Sequence, residues 1–438
     1  MRITFVSNYI NHHQIPFCNA LNALLQEMPD ENADGTVENI FTFIQTQKME
    51  ADRVLMGWDE TNRPAYVKYY YEEEALCREL IGESDAVIFG GVDDESYIAE
   101  RLQAGKLIFR YCERLYKTGQ WKAISPRGLK KKYTDHTRYR NAPVYLLCAG
   151  AYVASDYHII RAYPEKMYCW GYFPETRHYD VDKLMSNKGG ACTGDIKTAV
   201  NAPGKTEENR IPHLLWAGRM IDWKHPELPL ETAKYLKEKG YAFHMDIIGG
   251  GELYPVVERL WQEYELQEVV TLRGYQSPEE VRGYMERADI FLFTSDRQEG
   301  WGAVANEAMN SGCALIGDHM IGAVPYLVRN GENGLIYQSG EKEQLFRLAE
   351  QLVKNPEKCR ELGTKAYETI VNIWNAENAA KQLMQLIQEK MSGENAGAGG
   401  REAPSEAVSI IPAPGSYTPG QPAPILSERA VKKSIKEV

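Results

Sequence analysis

Short apolar runs recur along the chain, each closed by glycine or polar residues, and most are followed by a longer stretch with helical spacing. In the first half they occupy positions 2–7, 40–44, 86–89, 107–111 and 144–148, and in the second half 213–217, 244–248, 269–274, 290–293 and 314–317. Runs of this length, bounded by turn residues, read as buried strands. Helical periodicity follows at about 15–28, 228–239, 344–353, 357–372 and 374–391, and Pro278-Glu279-Glu280 opens another helix. Strands alternating with helices imply an α/β chain with parallel, doubly wound sheets, whose ligands bind at the carboxyl ends of strands.

A chain of 438 residues exceeds one typical core, so two domains are expected. The pattern divides into a first domain over 1–179, a linker rich in Asn, Lys, Gly, Thr and Pro over 180–212, and a second domain over 213–372. A last amphipathic helix, 373–391, then precedes a tail, 392–438, expected to be disordered: 392–424 is rich in Gly, Ala, Pro, Ser and Glu, and 427–437 is at most a short polar helix. The net charge of −11 argues against general nucleic-acid binding. Eight cysteines without any Cys-x2-Cys spacing suit reduced thiols in a cytoplasmic protein. The first run is too short and polar for a signal peptide, and no apolar run approaches the roughly eighteen residues of a membrane span.

The chemistry concentrates in the second half. Glu299-Gly300-Trp301-Gly302-Ala303-Val304-Ala305-Asn306-Glu307 lies between two apolar runs and reads as a loop feeding a helix that stops at Gly312. Two carboxylates spaced around a helix start can serve different ends of one extended ligand, with the helix terminus favouring a phosphate between them. Upstream, the run 213–217 ends in Gly218 and Arg219, with Lys224 five residues on. A guanidinium fork and an ammonium on one loop suit a diphosphate. The stretch 249–251 is Gly-Gly-Gly, which is not the Gly-x-Gly-x2-Gly of dinucleotide oxidoreductases.

Glu-x7-Glu, with Ala308-Met309 and Gly312 after it and the Arg-x4-Lys loop before it, resembles the nucleotide-sugar motif of the retaining family-4 glycosyltransferases. Ala323-Val324-Pro325-Tyr326 and residues 330–336 extend the resemblance, which covers roughly 1–391. Tyr326 stands where the family commonly has Glu, and Lys224-His225 replaces its usual Lys-Gly. The resemblance implies a GT-B fold: two Rossmann-like domains facing across a cleft, with the last helix crossing back onto the first domain. It implies transfer of a hexosyl group from a nucleotide-diphosphate sugar to a glycan or lipid-linked acceptor, with retention of configuration. Arg219 and Lys224 would stabilise the leaving diphosphate, Glu299 would meet the transferred sugar, and Glu307 would hold the ribose. Gly218, Gly300, Trp301 and Gly302 would complete the donor site. Neither metal nor cofactor is expected, because the cations and the helix terminus take the metal's part. A sugar-nucleotide epimerase or hydrolase on the same fold, and a non-catalytic scaffold, are the alternatives.

On the acceptor side the candidates are His12, His13 and Glu113, each following a strand end in the first domain. Between 101 and 140, twelve Lys and Arg stand against Glu113 and Asp135, an excess of ten, with Trp121, Tyr133 and Tyr139 interleaved. This stretch reads either as a solvated face or as a surface for an anionic membrane or pyrophosphate-bearing acceptor. Asp180-Val181-Asp182 reads as linker charge rather than a metal site, and no other acid/histidine cluster shows ligand spacing.

Overall fold

The computed structural model describes residues 1–29, 39–49, 64–189, 210–392 and 414–436. Two compact units result: Met1–Glu175 with Trp374–Pro412 and Tyr417–Ser427, and Thr176–Ile373 with Ala413–Ser416 and Glu428–Val438.

The first unit holds a seven-stranded sheet of β1 Arg2–Ser7, β2 Ile40–Gln45, β3 Val67–Tyr69, β4 Ala86–Gly90, β5 Ile108–Cys112, β6 Val144–Ala149 and β7 Met167–Trp170, in the order β3-β2-β1-β4-β5-β6-β7. The second holds β8 His213–Ala217, β9 His244–Ile248, β10 Val270–Gly274, β11 Ile290–Phe293, β12 Ala314–Asp318 and β13 Leu335–Tyr337, in the order β10-β9-β8-β11-β12-β13. Every pairing within both sheets is parallel. Strands β4, β6, β11 and β12 are buried along their whole length, as continuous apolar runs covered on both faces must be. The strand order reverses between β1 and β4 and again between β8 and β11. Connections there leave on opposite faces, so a crevice opens beyond the strand ends.

The helices follow their periodicity. Ile15–Glu27 turns Phe17, Cys18, Leu21 and Leu25 inward, and Pro278–Arg287 starts with a reciprocal cap between Ser277 and Glu280. The final helix of the run, Ala376–Met391, belongs to the first unit and packs on Ile15–Glu27. The seven described cysteines are free thiols. Among the described residues no helix is long and apolar enough to cross a membrane.

Several expectations give way. Strands β3 and β7 were not legible, because Val67-Lys68-Tyr69 is short and Met167-Tyr168-Cys169-Trp170 lacks the aliphatic signature. The linker reading fails for Val181–Ser186, a helix that buries Leu184 and Met185 and is capped by Asp180, whose Oδ1 accepts from the Lys183 amide at 3.1 Å. The remainder of that stretch, 190–209 with Cys192, lies outside the described residues.

The tail is not disordered over 414–436. The Cys169 amide donates to the Gln421 carbonyl at 2.8 Å and the Ala423 amide to that of Met167 at 2.9 Å, so the tail pairs with the outer edge of β7. Tyr417 and Leu426 are buried, and the Trp374 indole donates to the Tyr417 carbonyl at 3.0 Å. Helix Glu428–Lys436 then buries Val431 and Ile435. Composition underestimates this segment because an open sheet edge supplies the hydrogen bonds that a short polar chain cannot make with itself. Residues 393–413 lie outside the described ones.

Candidate functional site

At the switch point of the second sheet, the exits of β8 and β11 are stitched together. Thr294, just past β11, receives the Trp216 indole N–H at 2.9 Å and donates its hydroxyl to the Lys224 carbonyl at 2.8 Å. The Asp296 amide donates to the Trp223 carbonyl at 2.9 Å. These bonds hold the turn 222–224 against the Glu299 loop, and the Lys224 ammonium pairs with the Glu299 carboxylate, both side chains mostly buried. Arg219 is exposed at the end of β8, its guanidinium 5.9 Å above the Trp223 ring.

Two glycine contacts make this packing possible. A Cβ on Gly249, at φ +127°, would lie 1.9 Å from the Gly218 carbonyl oxygen, and one on Gly251 would lie 2.7 Å from that of Met220. The triple glycine therefore serves backbone-to-backbone approach of the β9 and β8 exits. His225, where the resembling family carries glycine, has φ +48°, the left-handed conformation that glycine adopts without strain. Its ring compensates by bonding: Nδ1 lies 2.9 Å from Glu227 and Nε2 lies 3.6 Å from Asp296, and these partners raise its pKa to about 10.

Three donor-side expectations change in detail. Trp301 is fully buried; its indole donates to Asn306 at 2.9 Å and its ring packs near Tyr326. Tyr326 is likewise fully buried, so the position occupied by Glu in the resembling family is here part of the core. The helix carrying Glu307 runs only Val304–Asn310, two turns, so little field comes from its dipole and Arg219 and Lys224 must supply most of the positive charge. Glu307 itself is partly exposed in the first turn.

At the switch point of the first sheet lies a cavity of about 770 Å³. Asn11, His13, Gly91, Glu95, Glu113 and Lys132 contribute to its wall, and His12 does not. His13 is half-buried, and desolvation lowers its pKa to about 4, so it presents a neutral ring. Glu113 accepts from the Tyr172 hydroxyl at 2.7 Å and pairs with Lys117. Gly90 and Gly91 let β4 leave between its neighbours: a Cβ on Gly90 would meet the Tyr111 carbonyl at 2.3 Å.

The basic stretch 101–140 is not one solvated face. Arg101 is buried and donates to the carbonyls of Ile81, Gly82, Ser84, Asp85 and Leu107. Arg110 forms a two-pronged pair with Glu95 at 2.7 and 2.6 Å, and Arg114 lies 3.5 Å from buried Asp156. Three of the twelve cations thus serve the interior of the first unit, since a buried guanidinium must be paired or hydrogen-bonded.

Sequence spacing also hid a cluster at the other end of the second sheet. His213 and His244 open adjacent strands and meet Asp246 at 2.8 and 3.4 Å, close enough together to hold a metal ion. Arg273 also donates to Asp246, at 2.7 Å, so its charge already has a fixed cationic partner. Registers between strands, not positions along the chain, bring these groups together.

Residues 201–369 match the family described as Glycosyl transferases group 1. The amylovoran biosynthesis glycosyltransferase AmsK of Erwinia amylovora is 24% identical over 180 residues, covering 40% of this chain and 44% of that protein. The chain spans about half the length of the first curated relatives it matches. A glycosyltransferase from Rickettsia africae superposes with a TM-score of 0.60 at 16% identity, over 90% of this chain and 99% of that one. HepE of Anabaena, solved in complex with UDP, superposes with a TM-score of 0.59 at 12% identity, over 89% of this chain and 100% of that one. Two doubly wound sheets are thus the GT-B fold of these neighbours, and Arg219, Lys224, Glu299 and Glu307 all lie within the segment, 201–369, that matches the Glycosyl transferases group 1 family.

Proposed function

We propose that this chain is a glycosyltransferase that moves a hexosyl group from a nucleoside-diphosphate sugar to a glycan or lipid-linked acceptor, with retention of configuration and without a metal ion. The observation that carries the reading is the meeting of Lys224 and Glu299 at the exits of neighbouring strands β8 and β11, where the sheet order reverses. As the bond from the sugar to the diphosphate breaks, negative charge grows on the leaving oxygens. Arg219 and Lys224 stabilise that charge from positions set before the reaction begins. Glu299 accepts hydrogen bonds from the transferred sugar and Glu307 from the ribose diol. The acceptor is taken by the first unit, with His13 and Glu113 at its cavity, and is met at the cytoplasmic face of a membrane. The names of the relatives support polysaccharide assembly, and the UDP-bound neighbour supports UDP as the nucleotide.

A ligand that binds only the folded chain raises its stability by RT ln(1 + [L]/Kd). A thermal-shift panel of UDP, GDP, ADP, CMP and dTDP is expected to single out UDP. If no nucleotide moves the melting curve at millimolar concentration, the donor site is misassigned. Retention is checked by NMR of the anomeric proton in the product, and metal independence by unchanged turnover in EDTA.

A further inference from the structure

The segment 120–135 presents two different faces. Its helix, Pro126–Asp135, fully buries none of its residues and is anchored at its start by Ser125, whose Oγ accepts from the Gly128 amide at 3.4 Å. At about 100° per residue, Lys132 and Asp135 fall on one side, and both line the cavity of the first unit. Lys130 and Tyr133 fall on the opposite side, with Leu129 on the flank between them and Lys132. Leu129 is 43% and Tyr133 60% exposed, and the preceding turn, Gln120–Ile124, adds Trp121 at 68% and Ile124 at 80%. These four large apolar side chains lie within thirteen positions, and no other stretch of that length among the described residues exposes more than two. Single exposed apolar residues need no explanation, but a cluster does.

The charges beside this cluster indicate what covers it. Arg127 and Lys130 are exposed and, among the described residues, make no ion pair, although the whole chain carries a net charge of −11. Tryptophan and tyrosine settle at the level of lipid headgroups, aliphatic side chains just below it, and unpaired cations on lipid phosphates. We propose that residues 120–135 form an interfacial element that seats the first unit on an anionic phospholipid surface, with Trp121, Ile124, Leu129 and Tyr133 entering the headgroup layer and Arg127 and Lys130 pairing with lipid phosphates. Because the reverse side of the same helix lines the cavity, an amphiphilic acceptor held in that surface has its polar head beside Lys132. That last step rests on the glycosyl-transfer reading; the lipid contact does not.

The test uses the full chain with vesicles of phosphatidylcholine alone or mixed with phosphatidylglycerol, and runs UDP thermal shifts in parallel. The wild type is expected to co-sediment with the mixed vesicles at low salt and not with the neutral ones. Each basic residue near an anionic surface is worth about a fivefold change in partition, so Arg127→Glu with Lys130→Glu lowers binding at least 20-fold, with high salt acting in the same direction. Trp121→Ala with Ile124→Asn removes the binding that survives moderate salt. All variants keep the UDP shift, because none touches the donor loops. The proposal is overturned if the wild type ignores anionic vesicles at low salt, if it binds neutral ones equally, or if the variants bind like wild type. It is also overturned if light scattering shows a dimer that the apolar variants dissociate, since the face would then belong to a second copy. A lost UDP shift with intact vesicle binding would remove the glycosyl-transfer reading and leave the lipid contact standing.

Discussion

The two sheets reverse their strand order in the same way, yet their switch points are finished in opposite styles. In the second unit, glycines 249 and 251 let bare backbone reach bare backbone, and the charged groups left over are Arg219, Lys224 and two glutamates. In the first, a roomy cavity is walled by a neutral histidine and by cations and carboxylates that partly satisfy one another, as in the Glu113–Lys117 pair. On the proposed reading, the cations at the exits of β8 and β11 suit a donor whose diphosphate never changes. The wall of mixed charge in the first unit suits, on the same reading, a polyhydroxylated acceptor that varies. The same topology therefore supplies the location of each site, and loop chemistry supplies its preference.

The strongest test of this contrast is Arg219→Ala or Lys224→Ala, each expected to lower turnover by about 10²-fold, the effect of deleting one preorganised charge-stabilising donor. Near-wild-type turnover in both variants would erase the distinction between the two ends. Next in size is Gly249→Ala. Its new Cβ would overlap the Gly218 carbonyl, so a loss of about 2–4 kcal/mol in denaturant unfolding is expected, against about 1 kcal/mol for Gly240→Ala, which has a positive φ but open space. Equal losses would show that the two donor loops do not need backbone contact.

The units should also respond to pH with opposite slopes. Burial lowers His13 to about 4 and, with help from Arg110, His136 to about 2, both below the ordinary 6.5. The unfolded chain then takes up protons first, so the stability from these neutral rings is present above about pH 6.5 and is lost as pH falls towards 4. His13→Gln is expected to flatten the acid limb of a stability profile. In the second unit His225 is raised to about 10 by Asp296 and Glu227. Its contribution is complete below about pH 6.5 and disappears as pH rises through 10. His225→Gly keeps the positive φ and should flatten the alkaline limb, the smallest effect of the series because the ring is partly solvent-screened. An unchanged alkaline limb would show that the ring contributes no pairing energy.

Legibility followed the range of the interactions. Runs such as 290–293 and 314–317 announced buried strands, and helix boundaries near 15, 278 and 376 followed from proline, Ser277 and Asn375 at their starts. Arg219, Lys224, Glu299 and Glu307 could be named from the sequence because they lie on the loops, or on the helix, that directly follow strand-like runs. Thr294 and Asp296 were missed, though a Thr-Ser-Asp step after an apolar run was the available signal; their partners are 70 or more residues away. The burial of Trp301 was not legible because exposure is not written in residue type. The burial of Arg110 and Arg114 within the basic stretch was not legible because a charge count cannot see Glu95 or Asp156, the carboxylates that fold against them. Edge order in the tail, likewise, depends on what β7 offers to residues 421–423.

By itself the sequence determined the alternation of strands and helices, the division into two doubly wound sheets and the loops that carry the donor-side charges, because these follow from local periodicity and from residues adjacent in the chain. Only the tertiary structure decided which charges are buried, which glycines allow backbones to touch, that the tail closes a sheet edge, and that one helix lines a cavity on one side while exposing Tyr133 on the other. Those outcomes depend on groups far apart in sequence whose burial and pairing exist only once the sheets are assembled.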